Sequence, residues 1–162
     1  MNILLAVLTS AVAVGGTLIG SWSTYLFQRR TAERAEAVNR AERLRQEQLA
    51  AFSTYAAAVT ELKRGLITLW FRRQRALRDQ DTREELQAAQ LDSDRLGAAA
   101  EAAAFRLRLV TDDAGLHPLM TAISAHLGAI SHAADRQAVM AIEARFEEAV
   151  TAFIEAAATR VR

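Results

Sequence analysis

The side chains that could perform chemistry are few, and their spacing does not bring them together. The chain has three histidines, His117, His126 and His132, and no cysteine. Separations of nine and six residues do not place two histidines on one helical face, as a zinc-binding HExxH motif requires. We therefore interpret them as surface or loop residues. Asp112 and Asp113, near His117, are typical of a helix start rather than of a metal site or an acid–base pair.

Other signatures of catalysis are also missing from the sequence. It contains no glycine-rich phosphate loop and no nucleophile elbow. We predict that the protein is not an enzyme and that it needs no metal, cofactor or small-molecule substrate. Its function must then come from where it is placed and from what its surfaces bind.

The longest uncharged stretch runs from residue 3 to residue 27. As a helix rising about 1.5 Å per residue it would cover about 37 Å, enough to cross a hydrocarbon core of about 30 Å. Aromatic rings and arginines close it, as expected at a headgroup boundary: Trp22, Tyr25, Phe27, Arg29 and Arg30. We predict a single-pass transmembrane anchor over residues 1–27. The alternative is a cleaved signal peptide, for which residues 11–13 could form the cleavage site.

The flanks of this stretch predict its orientation. Only Met1 and Asn2 precede it, whereas six arginines follow within residues 29–45. The positive-inside rule then predicts an outside N-terminus and a cytoplasmic C-terminal body in the cell membrane. An extracellular bundle would require the opposite orientation. Gly16 and Gly20 form a GxxxG pattern, which favours helix association in the membrane, although glycine is common in such helices.

Beyond the anchor, the pattern predicts an all-α protein. Residues 28–51 are almost wholly polar and predict a helical stalk. An apolar seam with alternating steps of three and four residues follows, here called the α1 seam: Phe52, Tyr55, Val59, Leu62, Leu66 and Leu69. Breaks near residues 79–82, 111–115 and 131–135 separate further helical patterns. We expect an antiparallel bundle over residues 52–162, with four helices, or three if the last break is only a kink.

Charge is distributed unevenly along the chain. Residues 28–78 hold twelve basic and five acidic side chains, net +7, and residues 79–162 hold eight basic and fourteen acidic ones, net −6. Helices of opposite sign packed in one bundle account for most of this pattern. A basic cluster that could contact a partner ends the first helix: Arg72, Arg73, Arg75 and Arg78. Nucleic-acid binding there is the less favoured interpretation, because a nucleic-acid site would more naturally make the whole domain basic or cluster arginines with stacking aromatics.

Three segments carry a family resemblance: residues 16–20, 25–30 and 42–55. They resemble the N-terminal half of small single-span membrane proteins from actinobacteria, some of them of the KilB-like type associated with plasmid transfer. The resemblance covers about the first 60 residues, and the rest only in architecture. It implies a membrane location and, for plasmid-borne members, a part in the conjugative spread of DNA. It supplies no catalytic residue.

These patterns predict a membrane-anchored cytoplasmic scaffold whose helical bundle self-associates as a homo-oligomer or binds a partner protein. The alternative is an accessory factor of conjugative DNA transfer that contacts DNA or a translocase through its basic first helix.

Overall fold

The computed structural model describes the backbone of residues 2–77, 83–111 and 113–161, and the side chains of residues 36, 38–77, 83–111 and 113–161. Within these residues the chain forms four α-helices and no strand: α1, Asn2–Ala76; α2, Arg83–Val110; α3, His117–Ile130; and α4, Arg136–Val161. The all-α prediction is confirmed. The chain divides into two compact units, residues 1–43 and 44–162, which are described separately below.

The first unit is the N-terminal part of α1. Its described side chains, residues 36 and 38–43, are all exposed, and Arg40 Nε donates a hydrogen bond to the carbonyl of Glu36. Among the residues whose side chains the structure describes, no helix is long and apolar enough to cross a membrane. The predicted anchor lies outside them, as do Gly16, Gly20, Trp22, Tyr25, Phe27, Arg29 and Arg30.

The second unit is a four-helix bundle in which the C-terminal part of α1 contacts every other helix. Two hydrogen bonds show how α1 and α2 are oriented. Gln48 Nε2 donates to the carbonyl of Val110 at the end of α2, and Arg73 Nη2, farther along α1, donates to Gln90 Oε1 nearer the start of α2. Phe52 packs on Phe153 at one end of α4, while Lys63 bonds to residues earlier in that helix. α1 is therefore antiparallel to α2 and to α4, as an up-down bundle with short connections requires.

The core follows the α1 seam. Phe52, Tyr55, Val59 and Leu69 are buried, and Leu62 and Leu66 pack half-buried against the same cluster. Larger apolar residues from α3 and α4 fill the space opposite: Met120, Ile123, Leu127, Ile130, Phe146 and Phe153. Residues three and four apart lie on one helical face, so this spacing alone marks the side of α1 that is removed from water.

Small residues let α2 approach α1 closely. Three of the four buried residues of α2 are Ser93, Ala100 and Ala103. Gly65 of α1 faces them, and a Cβ atom built on it would lie 2.6 Å from Leu96 Cδ1. The Cα atom of Ser93 would lie 3.8 Å from the same Cβ atom, so the two backbones are close here, and a larger residue at position 65 would require the Leu96 side chain to move.

Local chemistry explains where α3 and α4 begin. Pro118 lies in the first turn of α3, where its missing N–H breaks no helical hydrogen bond. Asp135 caps α4, since its Oδ1 accepts a hydrogen bond from the N–H of Ala138 at 2.8 Å. The break near residues 131–135 is therefore a true loop and not a kink. Asp81 and Glu84 have the spacing of a capping box at the start of α2, but Asp81 lies outside the described residues.

Candidate functional site

The residues singled out for chemistry remain apart in the fold. His117 is exposed at the start of α3, His126 is half-buried within α3, and His132 is exposed in the following loop. Among the described residues, no group of three or more His, Asp or Glu side chains could hold a metal ion. The candidate functional features of the described residues are surfaces and contacts between helices.

A buried lysine links α1 to α4. Lys63 is 6% exposed, and its Nζ donates to Glu143 Oε1 at 2.7 Å and to Glu147 Oε1 at 3.0 Å. The same ammonium lies 5.6 Å from the centre of the Phe146 ring. Burial acts to lower the pKa of Lys63, but the hydrogen bonds to the two carboxylates outweigh it and raise the pKa above its usual value. The two salt bridges of Lys63 fix one point of contact between α1 and α4. None of the three residues was recognised as an interhelical contact from the sequence.

The predicted basic cluster lies at the far end of α1, where two of its members already have partners. Arg72 forms a salt bridge with Glu85, and Arg73 donates to Gln90. Arg78 lies outside the described residues. Arg75 lines an open cleft of about 690 Å³ together with Arg72 and with Arg136 of α4. Contacts with α2 therefore use part of the charge that the sequence suggested for an outside partner.

This end of the bundle is held by an indole. Trp70 is buried, its Nε1 donates to the carbonyl of Ala133 in the α3–α4 loop at 3.0 Å, and its ring packs edge-on against Phe71. The indole N–H thus supplies a hydrogen bond to a loop carbonyl that is partly shielded from water. Phe71 remains 44% exposed at the edge of the cleft.

Two connected grooves run between α2 and α3, with α1 as their floor. Their volumes are about 350 Å³ and about 480 Å³, and both are lined by Leu62, Gly97, Glu101 and Leu127. At one end the groove reaches Tyr55. Burial raises the pKa of the Tyr55 phenol, while nearby Arg108 and a hydrogen bond with the Ser124 hydroxyl act in the opposite direction.

An ion pair closes the opposite end of the bundle. Arg160 of α4 bonds to Asp113 in the α2–α3 loop, in part through Nη2 and Oδ1 at 3.2 Å. The N–H of Gly115 donates to the same carboxylate at 2.7 Å. A Cβ atom on Gly115 would lie 2.7 Å from Arg160 Nη2 and 3.0 Å from Asp113 Oδ1, so a larger residue there would require both side chains of the ion pair to shift.

This ion pair gives the bundle a defined response to acid. The hydrogen bond from Arg160, followed by that from Gly115, lowers the pKa of Asp113 below its usual value. A carboxyl group with a lowered folded pKa adds stability above its unfolded pKa, about 3.9, and loses it as the pH falls through the folded value. We expect Asp113→Asn to lower the melting temperature at pH 7, and the difference from wild type to shrink toward pH 3.

Circular dichroism melts from pH 7 to pH 3 would measure this difference. Glu61→Gln is the matched control, because Glu61 pairs with Arg64 on the exposed surface of one helix and should change the melting temperature much less. A difference for Asp113→Asn that stays constant over the whole pH range would contradict the assignment.

One apolar surface, on α2, was not predicted from the sequence. Leu91, Phe105 and Leu109 of α2 are 63%, 54% and 89% exposed, although they are among the largest apolar side chains of that helix. They occupy a different face from the buried residues of α2. Leu91 and Phe105 are fourteen residues apart, which is two heptads, and Leu109 follows four residues later, so their heptad spacing could have revealed them.

Comparisons with known proteins support one assignment. No curated protein and no solved structure matches the chain. A family model described as KilB plasmid transfer protein matches residues 49–161. The match covers the second unit, whereas the resemblance noted in the sequence rested mainly on the first 60 residues, so the two overlap only at the start of the bundle. Because the matched residues make up well over half of the chain, this protein belongs to the KilB plasmid transfer protein family.

Proposed function

We propose that this protein takes part in plasmid transfer as a membrane-anchored scaffold whose helical bundle gathers other protein chains. The observation that carries the proposal is the family match over residues 49–161, because the family is described by its part in plasmid transfer. The matched segment is the bundle itself and contains no described metal cluster. A role through protein contacts fits these features better than a role through catalysis.

Anchoring is the second part of the proposal. It is supported by the uncharged residues 3–27 and the arginines that follow them. With this orientation the bundle faces the cytoplasm, where plasmid DNA and the machinery that moves it are found. The scaffold would then hold its partners at the membrane.

Contact with DNA through the end of α1 receives less support. The salt bridge of Arg72 with Glu85 and the hydrogen bond of Arg73 with Gln90 engage two arginines of the cluster within the bundle. Phosphate binding would have to displace these partners. We therefore leave DNA out of the proposal.

Reporter fusions after Arg162 test the anchoring. In intact host cells, a reporter active only in the cytoplasm should give a signal in the membrane fraction, and one active only outside should not. Deleting residues 3–27 should release the cytoplasmic reporter into the soluble fraction. An external signal would overturn the orientation, and a soluble full-length fusion would overturn the anchor.

A transfer assay tests the role itself. Donor cells that carry only the chain without residues 3–27 should transfer the plasmid less often than donors with the full chain, at equal protein levels. Transfer that is unchanged in donors lacking the whole protein would refute the proposed function.

A further inference from the structure

The outer face of α2 has the pattern of a second helix-pairing seam. Six exposed residues alternate steps of four and three, and we call them the α2 outer seam: Leu91, Arg95, Ala98, Ala102, Phe105 and Leu109. Five of the six are apolar. The residues that α2 buries in the bundle core, Ser93, Ala100, Ala103 and Leu107, are a separate set. A helix with two apolar faces has one face more than its own bundle uses.

The sizes of these residues favour pairing with an identical helix that runs in the opposite direction. With the twofold axis at Ala100, Leu91 lies opposite Leu109 of the second copy, and Ala98 lies opposite Ala102. Large side chains then meet at the two ends while small ones meet in the middle, so the backbones can approach closely there. Arg95 lies opposite Phe105 of the second copy, where its guanidinium can stack on the ring.

Charges beside the seam support the same direction. Acidic Asp92 and Asp94 flank its N-terminal half, and basic Arg106 and Arg108 flank its C-terminal half. Within one copy Asp92 already pairs with Arg95, and Asp94 accepts a hydrogen bond from Gln90. Both carboxylates are exposed, and in an antiparallel pair Asp92 also lies beside Arg106 of the second copy, while Asp94 lies beside Arg108. Each contact occurs twice by symmetry, so four opposite-charge pairs form.

Parallel pairing satisfies these charges less well. It places Arg95 of one copy against Arg95 of the other at a seam position. The antiparallel pair has one like-charge contact, Glu101 against its own copy, at the solvent-exposed edge, where repulsion is weak.

We propose that this protein self-associates through antiparallel pairing of the α2 outer seam with the α2 outer seam of a second copy. The inference goes beyond the proposed scaffold function by naming a partner, namely the chain itself, and it concerns the second unit alone, because an antiparallel pair places the Leu44 ends of the two bundles at opposite ends. It uses only described residues of the second unit. The reporter and transfer assays do not depend on α2, so a failure of this pairing can be told apart from a failure of the proposed function.

Thiol cross-linking of the full chain tests the direction of pairing. The chain has no cysteine, so introduced thiols are the only ones. Chains with Leu91→Cys and chains with Leu109→Cys, distinguished by a size tag, are mixed in mild detergent and treated with a short thiol cross-linker. Antiparallel pairing should give mainly the mixed product. In a parallel pair these positions are about 27 Å apart, and only unmixed products could form.

The matched control uses two exposed apolar residues of α4. Met140 and Ile154 are 60% and 51% exposed, similar to Leu91, and polar Glu147 and Thr151 interrupt the exposed stripe of α4 between them. Chains with Met140→Cys mixed with chains with Ile154→Cys should give little product. Equal cross-linking in the control, or mainly unmixed products for residues 91 and 109, would overturn the proposal.

Charge exchange provides a test that needs no cross-linker. Asp94→Arg alone, or Arg108→Asp alone, puts like charges together in two symmetric pairs. Either variant should weaken self-association about tenfold, as measured by analytical sedimentation of the full chain in detergent. The double variant D94R/R108D reverses both charges and should restore it. A double variant as weak as the single ones, or singles as strong as wild type, would refute the antiparallel pairing.

Discussion

Replacing Phe153 by alanine is expected to lower the free energy of unfolding of the bundle by about 3–5 kcal/mol. The Phe153 side chain is fully buried. Its ring meets two aromatic rings of α1 edge to face, with centres 6.1 Å from Phe52 and 5.1 Å from Tyr55. Truncation removes both aromatic contacts and leaves a cavity between α1 and α4, which the surrounding helices fill only in part.

Urea unfolding followed by circular dichroism would measure the change. Ile154→Ala is the matched control, because Ile154 is the next residue along the same helix but is half exposed, and its truncation should cost less than about 1 kcal/mol. If Phe153→Ala does not fold, Phe153→Leu should still fold and lose about 1 kcal/mol. Equal losses for Phe153→Ala and Ile154→Ala would show that these rings do not organise the core.

The second large effect is expected where Lys63 is buried. The double variant E143Q/E147Q should lower the free energy of unfolding by about 2–3 kcal/mol, because it leaves a buried ammonium without a counter-ion. The loss falls at or below the lower end of the usual range for a broken buried pair, since the Glu143 and Glu147 side chains are 37% and 65% exposed and water screens them.

A compensating variant isolates the cause. Adding Lys63→Met to E143Q/E147Q removes the unpaired charge and keeps an unbranched side chain against Phe146, so most of the lost stability should return. Urea unfolding of the three proteins at pH 7 makes the comparison. A triple variant no more stable than the double one would show that the carboxylates act through something other than Lys63.

The same site predicts a loss of stability in alkali. A lysine with a raised folded pKa adds stability that is fully present below its unfolded pKa, about 10.4, and is lost as the pH rises through the folded value. Tyr55, whose pKa burial also raises, contributes with the same sign. Lys63→Met should therefore lose less stability than wild type above pH 10, though some loss through Tyr55 should remain.

Local patterns in the sequence were enough for most of the fold. The α1 seam predicted which side of α1 is buried, and the break at residues 111–115 predicted the connection between α2 and α3, although Asp113 pairs with Arg160 instead of capping α3. Such signals can be read because helical neighbours lie three and four residues apart, so the burial of a face leaves a short-range period. The last break was uncertain because it depends on one cap, Asp135, rather than on a period.

The candidate surfaces needed the tertiary structure. Lys63 and Glu143 are 80 residues apart, and nothing in the sequence around either residue shows that they meet. The partners of Arg72 and Arg73 likewise lie on α2, so a cluster that looked free along the chain is partly neutralised in the fold.

The two apolar faces of α2 show the division most clearly. Its sequence alone contains two seams of similar spacing, and both are compatible with a helix that packs on a partner. Only the packed bundle decides which one faces the core: the seam that contains Ser93 and Leu107 is buried, whereas Leu91, Phe105 and Leu109 face water. The sequence by itself thus determined the helices and their apolar stripes, which are local properties. The tertiary structure decided which stripe is internal, because that choice depends on the shape of helices distant in the chain.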